Sequence, residues 1–415
     1  MHYDVLIVGG GAAGFFAAVH IAERDPALKI SILERGKEVL SKVRISGGGR
    51  CNVTHAEFDP KELVKNYPRG EKELIGPFHR FCTGDTIAFF EERGVPLKIE
   101  EDGRMFPVSN SSQTIIDCFL NESKRLGVNI QTGVSVKGIK RENTQWCLET
   151  TKGVFTCRKL LMTTGSNSKI WNILADLGHT IIPPVPSLFT FNIKDNRIAG
   201  LSGVSTLASV QVWSENALSG SSKPILESQG PLLITHWGMS GPAILKLSAW
   251  GARELCKLTY NFRLSVNWLP FTEAPEVLKT LESCRKDQPR KTVAGSKVFN
   301  LPKRLWGALT EASGISPEEK WAEISNKRLH ELQKQLCTSS FKVEGKSTFK
   351  EEFVTAGGVS LKEVHFRTFE SKILPDLYFA GEILDIDAIT GGFNFQNAWT
   401  GGYLAAEAIT QEAVS

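Results

Sequence analysis

The amino-terminal part of the chain alternates between strand-like and helical patterns of apolar positions. Residues 3–8 are mostly apolar and β-branched, a glycine turn follows, and an alanine-rich stretch with helical spacing continues to about Arg24. The next elements predicted are a strand at 29–33, helices at 85–93 and 112–126, and short strands between 129 and 162. Strand, glycine turn, helix and strand in this order predict a βαβ unit.

The pattern changes at residues 183–186, where three of four residues are proline. Such a segment cannot continue a central strand or helix, so a domain boundary is predicted there. Beyond it, period-two runs such as 204–213, a turn at 219–222 and a helix beginning at Pro242 predict a β-rich insert.

The spacing becomes helical between about 270 and 340. A capping box that begins at Ser316, with proline in the next position, predicts the start of one of these helices. Strand patterns return after 341, with a strand at 377–380 and an alanine-rich final helix over 393–410. The chain is therefore predicted to be an α/β protein with inserted segments.

Composition and charge exclude several classes of protein. With 415 residues, of which 41% are hydrophobic, the chain can bury a large interior and is expected to be globular. The formal net charge of +4 does not require a polyanionic partner. No apolar run reaches the roughly 18 residues of a membrane helix, and no leader pattern is present, so a cytoplasmic protein without a membrane partner is expected. The eight cysteines contain no CxxC pair, which argues against a disulfide framework or a zinc site.

The glycine turn after the first strand has the spacing of a dinucleotide-binding fingerprint. Gly9, Gly11 and Gly14 form GxGxxG between a strand and a helix, where the helix N-terminus can face a pyrophosphate. Glu34 ends the second strand, where a carboxylate can accept hydrogen bonds from an adenosine ribose. A glycine turn without a ligand is the alternative. The expected cofactor-binding residues of this unit are Gly9, Gly11, Ala12, Ala13, Gly14, Glu34 and Arg35.

The carboxyl-terminal strand and helix favour FAD over NAD as the dinucleotide. The strand at 377–380 leads into an acidic loop and then into a helix that begins with two glycines. In a two-part FAD site, the strand end holds the ribityl and pyrophosphate groups. The helix N-terminus faces the flavin N1/C2 carbonyl and stabilises negative charge there. An ordinary acidic loop before a terminal helix is the alternative. The residues expected to bind FAD here are Gly381, Glu382, Asp387, Gly391, Gly392, Phe393 and Asn394.

The loop at 46–52 is the most chemically suggestive segment of the middle region. Its three glycines let backbone amides approach a ligand, and nearby basic side chains suit phosphates or a reduced flavin. Lys42 is one of those basic residues. The cofactor-binding residues predicted in and beside this loop are Arg44, Gly48, Arg50, Cys51 and Asn52.

Three residues are candidate catalytic acids, and each has a structural alternative. Cys51 is either a redox thiol or proton donor, or a packed thiol. His236 precedes the helix predicted at Pro242 and is either a proton donor or a structural histidine. Tyr67 is either an acid or an interfacial aromatic residue.

Taken together, the motifs resemble a family of FAD-dependent oxidoreductases that includes bile-acid reductases, ribosomal-RNA dihydrouridine synthases and aminoacetone oxidases. The segments that carry the resemblance are 9–14, 45–52, 103–107, 177–180, 235–243, 301–305, 354–359 and 378–396. The resemblance implies FAD, and an insert made of a β-barrel and a helical subdomain. It also implies that a strand around Val134 offers backbone groups to the adenine, and we expect Thr164 and Gly165 at a strand end to contact the cofactor.

The predicted architecture is thus α/β, with a Rossmann-like FAD-binding domain formed by both chain ends, a β-barrel-like insert and a small helical insert. The predicted segments are 1–186 for the first part of the FAD-binding domain, 187–269 for the β-rich insert, 270–340 for the helical insert and 341–415 for the second part.

The leading functional hypothesis is a reductase that delivers hydride from reduced FAD to an electron-poor C=C bond conjugated to a carbonyl. The resemblance implies two substrates, a uracil in ribosomal RNA or a small-molecule enone. The basic stretch 285–304 favours RNA, although a solvated helical face would look the same. An amine oxidase and an RNA-binding protein with structural FAD are the alternatives. Because no second GxGxxG follows a strand, NADH or NADPH is expected to dock only transiently as the reductant.

Overall fold

The computed structural model describes residues 1–213, 223–347 and 354–411. The strands are β1 (His2–Val8), β2 (Ile30–Leu33), β3 (Thr54–His55), β4 (Leu97–Ile99), β5 (Arg104–Pro107), β6 (Asn129–Gln131), β7 (Val136–Glu142), β8 (Gln145–Thr150), β9 (Gly153–Met162), β10 (Ile181–Ser187), β11 (Thr190–Asn192), β12 (Ser205–Trp213), β13 (Leu226–Ile234), β14 (Gly238–Ser240), β15 (Asn261–Asn267), β16 (Ser339–Glu344), β17 (Lys346–Ser347), β18 (Val354–Val359), β19 (Val364–His365), β20 (Glu370–Ser371) and β21 (Leu377–Phe379).

The helices account for most of the remaining regular structure. They are α1 (Ala12–Arg24), α2 (Ser41–Gly49), α3 (Pro60–Leu63), α4 (Glu71–Phe78), α5 (Thr83–Glu91), α6 (Ser112–Arg125), α7 (Ser168–Asp176), α8 (Pro242–Trp250), α9 (Ala252–Lys257), α10 (Ala274–Asp287), α11 (Lys303–Ala312), α12 (Asn326–Cys337) and α13 (Phe393–Thr410). Within the described ranges, no helix is both long enough and apolar enough to cross a membrane.

The described residues form two compact units. The first comprises Met1–Val185 together with Lys350–Ser415, and the second comprises Pro186–Phe349. Each unit has its own hydrophobic core. The β-rich and helical inserts, which the sequence pattern separates, lie in the second unit and share one core.

The first unit is built on a sheet to which both ends of the chain contribute. Its path runs β19-β20-β21-β9-β1-β2-β6, and β7 and β8 extend it from β9. The five neighbours β21, β9, β1, β2 and β6 pair in parallel. Since β1 begins the chain and β21 lies near its end, the Rossmann-like sheet predicted from both termini is confirmed.

Helices α1 and α13 pack closely because small residues line their contact. A Cβ at Gly402 of α13 would lie only 2.9 Å from the carbonyl oxygen of Ala13 in α1. The same contact brings the helix that follows the first glycine turn beside the terminal helix.

The proline-rich segment forms an edge strand. Pro183 and Pro184 lie in β10, which pairs with β18 in a two-stranded sheet. A Cβ at Gly357 of β18 would lie 2.6 Å from the Cα of Pro184, so glycine at 357 permits the approach. The division between the two units falls inside this strand, beside Val185.

The second unit contains a seven-stranded sheet with the order β16-β15-β12-β13-β14-β11-β17. Among the described residues, the end strands β16 and β17 do not pair with each other. The sheet is therefore open, and the closed barrel implied by the family resemblance is not formed. The turn predicted at 219–222 lies outside the described residues.

One predicted helix start is wrong. Residues 316–319 form a turn, a short 3-10 helix follows at Trp321–Glu323, and α12 begins only at Asn326. The N–H of Trp321 donates to the carbonyl of Lys291 at 3.0 Å, and that of Ala322 donates to Pro289 at 3.1 Å. Because these amides pair with the connection that follows α10, they are not available for α-helical hydrogen bonds.

Candidate functional site

Four parallel strands of the first unit end at one edge of the sheet, in the lateral order β2, β1, β9 and β21. A candidate ligand-binding segment follows each strand. Glu34 follows β2, the turn at 9–14 follows β1, Thr164 and Gly165 follow β9, and Gly381 and Glu382 follow β21. Ligands of open α/β sheets bind outside the carboxyl ends of the strands. We call this the carboxyl edge.

The three fingerprint glycines have different surroundings. A Cβ at Gly9 would lie 2.4 Å from the carbonyl oxygen of Thr163, and one at Gly14 would lie 2.2 Å from that of Gly9. A Cβ at Gly11 would have no atom within 4 Å. Gly9 and Gly14 are therefore required by packing, whereas Gly11 leaves open space at the start of α1. No side chain caps α1 and no acid lies in its first turn, so an anion fits there.

Glu34 is held in a fixed orientation by the backbone. It accepts hydrogen bonds from the N–H groups of Gly10 at 2.9 Å and Gly36 at 2.6 Å, one on each carboxylate oxygen. Each oxygen keeps a lone pair that a ribose hydroxyl could use. The neighbouring Arg35 is exposed.

Val134 does not lie in a strand, contrary to expectation. It is located in the connection between β6 and β7, and its N–H donates to the carbonyl of Glu34 at 2.9 Å. The backbone amide expected to contact an adenine thus pairs within the protein.

The end of β9 contains an unsatisfied hydroxyl group. The Thr163 hydroxyl donates to the carbonyls of Val8 and Gly9, at 3.1 and 2.9 Å. In contrast, the buried Oγ1 of Thr164 has no hydrogen-bond partner within the described residues. Buried polar atoms are normally paired, so this one suits a polar ligand at the carboxyl edge.

Glu382 forms an ion pair with Lys42, which lies in α2. Lys42 Nζ lies 2.5 Å from Glu382 Oε2, while Glu382 Oε1 accepts from the N–H of Thr355 at 3.0 Å. The same Oε2 is 3.6 Å from the position of a Cβ at Gly165. The ion pair thus lies beside the end of β9. Sequence reasoning counted Lys42 only as added positive charge.

The glycine-rich loop interrupts α2. Its backbone leaves helical geometry at Ser46, and Gly47 and Gly48 have φ values of +57° and +68°. Gly48 is exposed, and a Cβ there would have no atom within 4 Å. This φ region favours glycine, and the open space allows the close approach of a ligand.

The two arginines assigned to the cofactor bind other parts of the protein. The Arg50 guanidinium lies 3.9 Å from the centre of the Phe106 ring and donates to Glu100 at 2.6 Å. Arg44 donates to the side-chain oxygen of Gln113 at 2.8 Å. Both guanidinium groups therefore hold the loop in place in this conformation.

Asn52 connects the same loop to the start of α13. Its side-chain oxygen accepts from the N–H of Gly392 at 3.0 Å, and its NH₂ group donates to the carbonyls of Met105 and Thr54. A Cβ at Gly392 would lie 2.5 Å from the backbone of Thr54, which explains the glycine there. All the hydrogen bonds given for the Asn52 side chain are thus internal.

Aromatic residues fix the N-terminus of α13. His55, which sequence reasoning missed, stacks on Phe393 at 4.5 Å between ring centres, and its Nδ1 lies 3.1 Å from the carbonyl oxygen of Gly391. The Tyr67 hydroxyl donates to the carbonyl of Phe393 at 2.6 Å. No side chain caps α13 and no acid lies in its first turn, so the positive end of its dipole is not offset locally.

Two residues predicted to bind FAD stabilise the loop before α13. The Asn394 side chain accepts from the N–H of Ala388 at 3.0 Å and donates to its carbonyl at 3.2 Å. Both carboxylate oxygens of Asp387 accept from the Arg69 guanidinium, and the Asp387 side chain is 0% exposed. Sequence spacing gave no sign of Arg69.

The three candidate acids differ in accessibility. Burial raises the pKa of the Cys51 thiol to about 12, against the opposing effect of a hydrogen bond with Ser46. Burial also raises the pKa of Tyr67 well above its ordinary value. Both side chains are fully buried, which favours packing roles in this conformation. His236 lies in the second unit, exposed in the turn between β13 and β14.

Comparison with known proteins extends over almost the whole chain. The family model described as HI0933-like protein Rossmann domain matches residues 3–408. A 3-dehydro-bile acid delta(4,6)-reductase from Clostridium scindens is 29% identical over 98% of both chains. A ribosomal RNA dihydrouridine synthase from Haemophilus influenzae is also 29% identical over 98% of both. The fold resembles that of a 3-ketosteroid-delta4-(5alpha)-dehydrogenase from Rhodococcus jostii, with a TM-score of 0.51, 12% identity and coverage of 99% of this chain and 97% of the other.

Proposed function

Because the chain belongs to the HI0933-like Rossmann family of FAD-dependent oxidoreductases, we propose that it reduces an electron-poor C=C bond conjugated to a carbonyl. The observation that carries the proposal is the N-terminus of α13. It is uncapped, it has no acid in its first turn, and His55 and Tyr67 hold it in place. Such an end favours negative charge on a bound group.

The carboxyl edge fits an elongated dinucleotide. Glu34 is placed for a ribose, the open space at Gly11 and the uncapped α1 suit a diphosphate, and the free Oγ1 of Thr164 suits a further polar group. When bound, FAD would supply the hydride. The protein contributes the orientation of these groups and a fixed positive helix end, while NADH or NADPH is proposed as a transient reductant.

We propose a uracil in ribosomal RNA as the substrate. Full-length relatives are named as a delta(4,6)-reductase and a dihydrouridine synthase, and both names describe saturation of a C=C bond. Five exposed cations between α10 and α11 support the RNA: Lys286, Arg290, Lys291, Lys297 and Lys303. We call them the basic surface.

The basic surface is available for phosphates. Within the described residues, none of its five side chains forms an ion pair or a hydrogen bond, whereas Arg285 donates to the Ile324 carbonyl and Arg304 donates to that of Gly200. The connection itself is anchored, since Trp321 N–H donates to the Lys291 carbonyl at 3.0 Å. Exposed cations on an anchored segment suit an RNA backbone.

A small-molecule enone is the second candidate substrate. The bile-acid reductase is as similar to this chain as the dihydrouridine synthase from Haemophilus influenzae, at 29% identity over the same 98% of the chain. For either substrate, we propose His236 as the proton donor, because its side chain is exposed while Cys51 and Tyr67 are buried.

The first test is spectroscopic. The purified protein should be yellow, and anaerobic addition of NADH or NADPH should bleach the flavin absorbance. A colourless protein that does not take up FAD would refute the proposal. Stoichiometric peroxide during rapid aerobic turnover of an amine would favour the oxidase alternative. A flavin that stays oxidised with both nucleotides would favour a structural role.

The second test identifies the substrate. Ribosomal RNA from a strain lacking the gene should lose a dihydrouridine, measured by mass spectrometry, and unchanged RNA would favour the small enone. Replacing Lys286, Arg290 and Lys291 by alanine should make the slope of log affinity against log salt shallower by about 2. The matched control replaces Lys61, Lys72 and Lys124, which are exposed residues of the first unit, and should leave that slope unchanged.

A further inference from the structure

The Lys42–Glu382 ion pair spans the middle of the carboxyl edge. The N–H of Leu40 donates to the carbonyl of Gly10 at 2.8 Å, so the start of α2 is anchored on the glycine turn after β1. Glu382 follows β21, which is separated from β1 by β9. At about 4.8 Å between neighbouring strands, β1 and β21 lie about 10 Å apart. The 2.5 Å contact between Lys42 and Glu382 therefore bridges the end of β9.

The two partners are held unequally. Glu382 is 18% exposed and fixed by the N–H of Thr355 at 3.0 Å, whereas the Lys42 side chain is 56% exposed. Lys42 is thus the mobile partner, able to leave and return by side-chain rotation. The free Oγ1 of Thr164 and Gly165 lie at the strand end that the pair bridges.

From this geometry we propose that Lys42 and Glu382 form a strap that closes over the bound dinucleotide and slows its release. The inference depends on the proposed FAD site. A dinucleotide that extends from Glu34 past Gly11 toward the end of β21 has to cross the strand end that the pair bridges. Lys42 must therefore swing away for entry, and the ion pair re-forms to retain the ligand.

The test measures the rate of FAD release from the holoprotein, followed by flavin fluorescence after dilution with excess competing apoflavoprotein. K42M and E382Q should each release FAD about two- to five-fold faster than the wild type, because an exposed ion pair is weak. The double variant should be no faster than either single variant, since all three remove one interaction. K65M, which removes the Lys65–Glu62 pair of 2.6 Å elsewhere in the first unit, is the control and should not change the rate.

Salt gives an independent signature. Raising the ionic strength should speed release from the wild type toward the rate of the variants, while the variants respond less. Unchanged release in K42M, additive effects in the double variant, or slower release from E382Q would each overturn the strap. The last two results would mean that the side chains contact the cofactor separately. A wild type that binds no FAD would instead refute the proposed function itself.

Discussion

Replacing Arg69 by methionine should destabilise the protein more than the loss of an exposed ion pair. Arg69 donates from Nε and Nη2 to the two carboxylate oxygens of Asp387. The Arg69 side chain is 10% exposed and that of Asp387 is 0% exposed. Removing one partner of a buried pair costs about 3–5 kcal/mol, because the remaining charge stays buried without its counter-charge.

The dependence on pH sets an upper limit on this loss. In the R69M variant, the buried carboxyl can take up a proton on folding, which costs about 1.4 kcal/mol per pH unit above the ordinary aspartate pKa of about 3.9. The limit at pH 7 is about 4 kcal/mol, so a loss of about 3–4 kcal/mol is expected there. Because the folded variant then binds a proton that the unfolded chain does not, the deficit shrinks at lower pH, to about 2 kcal/mol at pH 5.5.

Urea unfolding followed by far-ultraviolet circular dichroism at pH 7.0 and 5.5 measures both free energies of unfolding. The double variant R69M/D387N removes both charges and should recover part of the loss. K65M, at an exposed pair, is the control and should leave the free energy of unfolding nearly unchanged. A deficit in R69M as small as that of K65M, or the same deficit at both pH values, would refute the reasoning.

Three further predictions concern other buried or tightly packed positions. Burial, reinforced by nearby arginines, lowers the pKa of His20 from 6.5 to about 3, so the unfolded chain takes up a proton below pH 6.5 that the folded protein does not. The free energy of unfolding should therefore fall with decreasing pH by up to about 1.4 kcal/mol per unit, and H20F should lack this part of the slope; an equal slope in both proteins would contradict it. G14A should lower stability by about 2 kcal/mol or more because its Cβ meets the Gly9 carbonyl at 2.2 Å, whereas G11A should keep the wild-type melting temperature but bind FAD more weakly in a fluorescence titration. Wild-type affinity in G11A would argue against a ligand at this turn. Cys51 should react with a thiol reagent at pH 8 only after unfolding, since its thiol is buried and its pKa is about 12; rapid labelling of the native protein, located by mass spectrometry, would show that the site is open.

The sequence predicted well wherever a local pattern determines the structure. The strand and glycine turn at residues 3–14 require only neighbouring residues, as does the helix that begins at Phe393. The alternation at 204–213 likewise predicted β12, Ser205–Trp213. The proline segment at 183–186 predicted a boundary, and the two units divide beside Val185. In these cases backbone geometry and apolar spacing act over a few residues, so they can be read directly from the chain.

Distant partners account for the differences between the predicted and observed structures. The capping box at Ser316 has the correct spacing, but Trp321 donates its N–H to Lys291, and the α-helix starts later. Hydrogen bonds between segments far apart in sequence outweighed a local preference, which is worth only about 1 kcal/mol for a helix cap.

The sequence by itself determined that this chain has a glycine fingerprint, an acid after the second strand and a glycine-led terminal helix, because each of these is a local property. Only the tertiary structure decided the roles of the charged and polar residues between them. Asp387 pairs with Arg69, Asn52 binds Gly392, and Lys42 meets Glu382 across the end of β9. The physical reason is that a charge is paired by whichever opposite charge lies within a few ångströms, and sequence separation places no limit on that distance once the chain has folded.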